Sequence, residues 1–104
     1  MEYKMNLYPI QLLTIITLDV LEVQLIEKFK ELGVKGYTIS EAHGEGLSHI
    51  RDNNWEGRNI RIEILLKENI LESILELLQK DYFPKFKMIA FVQEVKILRR
   101  EKFE

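Results

Sequence analysis

Cysteine is absent from the chain, and that removes disulfides, thiol nucleophiles and Cys-type zinc sites together. It fits a reducing compartment. An excess of positive charge is also missing: 15 Lys and Arg stand against 17 Asp and Glu, for a net charge of −2, which is not the basic footprint of a nucleic-acid binder. No apolar run approaches the length of a membrane span. The first residues, MEYKMNLYPIQ, lack the basic-then-apolar build of a secretory leader. The expectation is a cytoplasmic protein with no nucleic-acid partner and no membrane insertion. Proline occurs twice and glycine five times, and three of the five glycines fall within Gly44 to Gly57.

What remains is enough to build a core. At 104 residues, 46% hydrophobic and 31% charged, the chain reads as one folded domain over 1–104. A domain of this size leaves much surface exposed, so oligomerisation would help it.

Met1 to Gln11 reads as an arm, with Pro9 suited to a strand entry. Leu12 to Leu18, LLTIITL, reads as a strand buried on both faces or nearly so. Asp19 with Glu22 forms a capping-box pattern. Val20, Val23, Ile26, Phe29 and Leu32 then recur every third residue and suggest one apolar helix face, closed by Gly33. Val34 to His43 alternates as a second strand. Asn59 to Leu66, NIRIEILL, alternates most clearly, with Ile60, Ile62 and Ile64 inward and Arg61 and Glu63 outward. Lys67 to Lys80 carries Ile70, Leu71, Ile74, Leu75, Leu77 and Leu78 at helical spacing, and Asp81 to Lys87, DYFPKFK, breaks it at Pro84. Met88 to Leu98 is the last strand, followed by Arg99, Arg100, Lys102 and Phe103. The order βαββαβ implies an α+β, ferredoxin-like fold, an antiparallel sheet with two helices on one face. Its other face would bear Arg61 and Glu63 with apolar neighbours, and such a half-apolar face invites further copies.

The long polar connection GEGLSHIRDNNWEG, Gly44 to Gly57, exceeds what a hairpin needs. Gly44 and Gly46 can turn successive backbone N–H groups onto one concave surface that suits an anion. Ser48 adds a hydroxyl, and Arg51 a planar donor fork for phosphate. Arg99, Arg100 and Lys102 would add positive charge if the last strand ends near this loop. The plain alternative is a hairpin connection whose glycines serve only the turn. His43 and His49 are too few for a metal site unless Glu41 and Glu45 join them. Trp55 is costly to leave in water and is expected to pack on a partner or on its own sheet. Tyr82, Phe83 and Phe86 would either wall an aromatic base or close the helix–strand corner. No nucleophile–base pair is visible, so nothing argues for an enzyme.

The stretches VKGYTISEAHGEG, IRDNNWEG, NIRIEIL and KDYFPKFKMIAFVQEVKILRREKF, in this order and spacing, resemble the PII-like signalling proteins. The resemblance is to the branch associated with bicarbonate transporters and carboxysome operons (the SbtB and carboxysome-PII type). It implies a homotrimer with adenine nucleotides (AMP, ADP, ATP or cyclic AMP), and bicarbonate as a second anion, held between subunits. It places Gly44, Gly46, Ser48 and Arg51 at the phosphate-contacting loop base, Phe86 and Lys87 in the connection that encloses the adenine end, and Arg99 and Arg100 in a C-terminal segment that reaches the cleft. The loop over roughly 45–57, the family's T-loop, would dock on a membrane transporter through His49, Asn53 and Trp55. Two departures stand out: no tyrosine lies in the loop, so uridylylation is not expected, and Ser48 occupies a position where relatives often carry arginine. A trimeric CutA-like metal-binding protein using His43 and His49, or an interaction module without nucleotide, are the competing readings.

Overall fold

A computed structural model describes residues 6–44 and 58–99. The elements run β1 (Tyr8–Leu18), α1 (Glu22–Glu31), β2 (Thr38–Ala42), β3 (Asn59–Leu66), α2 (Glu68–Leu77) and β4 (Ile89–Ile97). The four strands form one antiparallel sheet in the order β2-β3-β1-β4. This is the ferredoxin-like α+β arrangement expected from the element order.

The alternation of β3 packs as its pattern demands. Ile60, Ile62 and Ile64 are buried, while Arg61 and Glu63 lie on the opposite face, 3.6 Å apart as an ion pair. Leu13 and Ile15 of β1 join them, and Leu21, Leu25, Ile26 and Phe29 of the first helical segment with Leu71, Ile74 and Leu78 of the second cover that face. The expected broad face of α2 is present: Ile70, Leu75 and Leu77 are half-buried against the same cluster.

α1 corrects the expectation for its face. Val20 and Val23 are 61% and 70% exposed, and the core is met by Leu21, Leu25, Ile26 and Phe29. The reason is geometric. A step of three residues falls short of a turn by about 60°, so five residues at that spacing spiral around the helix instead of lining it. Leu21, Leu25 and Phe29, four apart, hold one face.

The start of α1 also differs from the capping box. Asp19 to Leu21 form a single 3-10 turn, α1 begins at Glu22, and neither its N-terminus nor that of the turn has a side-chain cap. The other end follows expectation. Gly33 has φ +108°, its N–H donates to the Lys30 carbonyl at 3.1 Å, and the Val34 N–H donates to the Phe29 carbonyl at 3.0 Å. That pair of bonds is a Schellman closure and needs the left-handed residue that glycine supplies. Because Val34 is spent on the cap, β2 starts only at Thr38, four residues later than the alternation suggests.

β1 is longer than the run LLTIITL. Tyr8 to Gln11 belong to the strand, and Pro9 sits opposite Lys96 where β3 has not yet begun to pair, so one side of the strand is free to lack an N–H. After α2 the backbone widens into a π turn over Leu78 to Tyr82, closed by the Phe83 N–H on the Leu78 carbonyl at 2.8 Å. Pro84, which has no N–H, then ends the helical ladder. Among the described residues, the second sheet face has no helix. It carries Ile89 and Phe91, both exposed, together with half-buried Leu12, Ile16, Leu18, Leu65 and Val95.

Candidate functional site

The antiparallel register puts four chain segments at one end of the sheet. These are the exit of β1 (Leu18, Asp19), the exit of β2 (Ala42 to Gly44), the entry of β3 (Arg58, Asn59) and the entry of β4 (Lys87 to Ile89). The long loop therefore leaves from the same edge as the corner before β4. Across the order β2-β3-β1-β4, the outer two segments stand three strand spacings apart, about 14 Å.

Gly44 lies two residues beyond the end of β2, after His43, and is exposed. Its φ is not in the left-handed region, and a Cβ built on it meets none of the described residues within 4 Å. Neither the local backbone nor the packing of the described residues requires a glycine there. Such a requirement would come from something that approaches the backbone from outside these elements. Glu41 and Arg58 flank the mouth of the loop, with Arg58 Nη1 donating at 3.2 Å to both carboxylate oxygens. Both side chains are well exposed, so the pair steadies the neck more than it stabilises the fold.

The corner before β4 is anchored at several points. Tyr82 is buried, and its hydroxyl donates to Gln24 Oε1 of α1 at 3.0 Å. Burial, helped by the Asp81 carboxylate, raises its pKa above the ordinary value of 10.0. Phe86 lies half-buried with its ring 5.9 Å from that of Tyr82, and its N–H donates to the Tyr82 carbonyl at 2.8 Å. Of the two roles open to this aromatic cluster, closing the corner is the one Tyr82 performs, while Phe83 is exposed. Lys87 extends into solvent, but its carbonyl accepts the Thr17 hydroxyl at 3.1 Å.

Among the expected site residues, Gly44, Phe86 and Lys87 share this end of the sheet. Arg99 does not. It follows the far end of β4, about 27 Å from the entry of that strand, so the condition that the last strand end near the loop is not met within one chain. Gly46, Ser48, Arg51, Arg100, His49, Asn53 and Trp55 lie outside the described residues. Three features of the mouth were not anticipated from the sequence: the Glu41–Arg58 pair, the Asp19 N–H donating to the Arg58 carbonyl at 2.7 Å, and the Thr17 bond to Lys87. Opposite charges close to either lip of a long loop, and the threonines Thr14 and Thr17 in an otherwise apolar buried run, were the available signals.

A groove of about 500 Å³ between α1 and α2 is a separate feature, lined by Lys28, Glu31, Glu72, Glu76, Lys80 and Asp81 among others. Acidic groups outnumber basic ones there, and none of the expected site residues lines it. Among the described residues no three His, Asp or Glu side chains gather as a metal site would need.

A βαββαβ chain whose long polar loop and anchored corner leave from the same edge of the sheet is a small ferredoxin-like α+β protein. Residues 10–102 match the family model for nitrogen regulatory protein P-II, and the chain belongs to that family. A PII-like signalling protein of Thermus thermophilus is 46% identical, with 96% of this chain and 100% of that one covered and a TM-score of 0.82. The CPII protein of Thiomonas intermedia, in a structure bound to ADP and bicarbonate, is 28% identical, covering 97% of this chain and 100% of that one at a TM-score of 0.84. The fold alone is shared with the GlnK–ATP complex of B. subtilis, at 20% identity, with 84% and 82% of the two chains covered and a TM-score of 0.58. Among curated proteins, none matches the chain.

Proposed function

We propose that this PII-family chain is a regulator, not an enzyme, that binds an adenine nucleotide between copies of itself and signals through the loop at 45–57. The observation that carries the reading is the likeness along the whole chain to CPII bound to ADP and bicarbonate, joined to a loop mouth where nothing among the described residues requires Gly44 to be glycine. Gly44, Gly46, Ser48 and Arg51 hold the phosphates through amide N–H groups, a hydroxyl and a guanidinium. Phe86 and Lys87 close the other side. Arg99 and Arg100 enter the cleft from a neighbouring copy, which accounts for the position of Arg99 at the far end of β4. The uncovered sheet face, with Ile89 and Phe91 exposed, supports assembly, and the assembly proposed is a homotrimer.

The mechanism is linkage. A nucleotide that binds one arrangement of the loop base more tightly than another shifts the loop's population by that difference in affinity. The loop then gains or loses affinity, through His49, Asn53 and Trp55, for a target. The target proposed is a membrane transporter for bicarbonate in a cytoplasmic setting, as in the SbtB and carboxysome branch, with bicarbonate itself a second ligand. The family model that matches residues 10–102 is that of PII, which favours the nucleotide reading over the CutA-like one.

Isothermal titration with ADP tests the site. Arg51→Ala should weaken binding by about tenfold or more, because a charge-assisted contact is lost, well beyond any effect of Arg61→Ala, whose side chain lies on the sheet face paired with Glu63. Equal affinity in the two variants would contradict the placement of the phosphates.

A further inference from the structure

Thr17 is fully buried in a strand whose neighbours are Ile15, Ile16 and Leu18. Packing alone would be met as well by valine, which has the same shape and no hydroxyl to desolvate. The hydroxyl has a specific partner. Pairing between β1 and β4 ends at Ile16 opposite Ile89, and beyond it the backbone of the corner has no ladder partner on β1. Thr17 Oγ1 bridges this gap, donating to the Lys87 carbonyl at 3.1 Å. Two residues on, the Asp19 N–H donates to the Arg58 carbonyl at 2.7 Å on the β3 side. Thr17 and Asp19, two residues apart at the end of β1, thus hold both the corner that carries Lys87 and the lip of the long loop.

We propose that Thr17 is a positioning residue for the ligand site: its hydroxyl fixes the backbone of Lys87 against the end of β1, and so sets the corner's distance from the loop mouth. The inference rests on the functional reading above, in which Lys87 closes on the nucleotide. Thr17 touches no ligand. It acts through Lys87, whose side chain extends into solvent but whose backbone is tied at the carbonyl. Without that bond, Lys87 and Phe86 keep their chemistry and lose their fixed separation from Gly44. Neutral hydrogen bonds of this kind are modest singly, but the misplacement they permit is felt by every contact the corner makes.

The test is a double-mutant cycle read by ADP titration on the full chain. Thr17→Val should weaken ADP binding by about five- to tenfold, Thr17→Ser should bind within about twofold of the parent, and Thr17→Val combined with Lys87→Ala should lose clearly less than the product of the two single losses. A purely structural role would move the melting temperature and give multiplying, independent losses of affinity. If the valine variant does not fold, Thr17→Cys keeps the volume with a weaker donor and should show an intermediate loss. Thr17→Val binding like the parent while Lys87→Ala binds weakly, or losses that multiply, would overturn the positioning role and leave the functional reading standing. ADP affinity unchanged in both Thr17→Val and Lys87→Ala, or no ADP binding by the parent chain, would overturn the reading of the site itself.

Discussion

Gly44→Ala separates what the fold needs from what a ligand needs. The added methyl group meets none of the described residues within 4 Å, and the backbone at 44 is outside the region that strains an L-residue. The folded state therefore bears almost no cost, and the unfolded chain loses freedom, which favours the variant by about 0.4–1 kcal/mol. Binding should move the other way. If the nucleotide's phosphates sit on the amide N–H groups at the loop base, a methyl group at closest approach removes a hydrogen bond to a charged group, about 1.5–3 kcal/mol. That corresponds to about a 10- to 150-fold loss of affinity. The two quantities are read on the same preparations, by thermal or urea unfolding without ligand and by titration with ADP. A stability loss above about 1 kcal/mol would mean that the glycine serves the fold after all. Unaltered ADP affinity would mean that nothing approaches that backbone.

The converse holds at Gly33, where φ is +108° and a Cβ would lie 3.3 Å from Ile70 Cδ1. Gly33→Ala should destabilise the chain by about 1–2 kcal/mol in urea unfolding and leave ADP affinity unchanged; a neutral result would contradict the Schellman closure. Tyr82→Phe removes the hydroxyl bonded to Gln24 and should cost about 1 kcal/mol near neutral pH. Tyr82 titrates above its ordinary 10.0 when folded, so the unfolded phenol ionises first and its stabilisation is lost as pH rises past 10. The gap between parent and Phe variant should hold below pH 10 and narrow above it, and a gap constant to higher pH would argue against the buried phenol.

Much of the fold was legible because β3 and α2 bury regular faces. Ile60, Ile62 and Ile64 alternate with charges, and Leu71, Ile74 and Leu78 recur at helical steps, so period alone identifies their inward sides. α1 was legible as a helix but not in its phase. Its valines at 20 and 23 are as apolar as its core residues, and only packing against the sheet chooses Leu21, Leu25 and Phe29. β-Strand ends were hidden for a different reason: Val34 alternates like a strand residue but is consumed by the helix closure, and Pro9 is tolerated because β1 has one neighbour there. Of the residues proposed from sequence, Gly44, Phe86 and Lys87 fall at the end of the sheet where the long loop leaves. The bonds of Thr17 and Asp19 depend on which strands meet at one edge, and a hydroxyl in the run LLTIITL does not reveal its partner until the sheet order is known.

Native mass spectrometry with ADP reads assembly and ligand occupancy together, and so tests directly whether a nucleotide is held where copies of the chain meet. The expected spectrum is a trimer carrying up to three ADP molecules, with binding lost in Gly44→Ala while the trimer persists. A monomer, or a trimer that stays free of ADP at millimolar concentration, would contradict it.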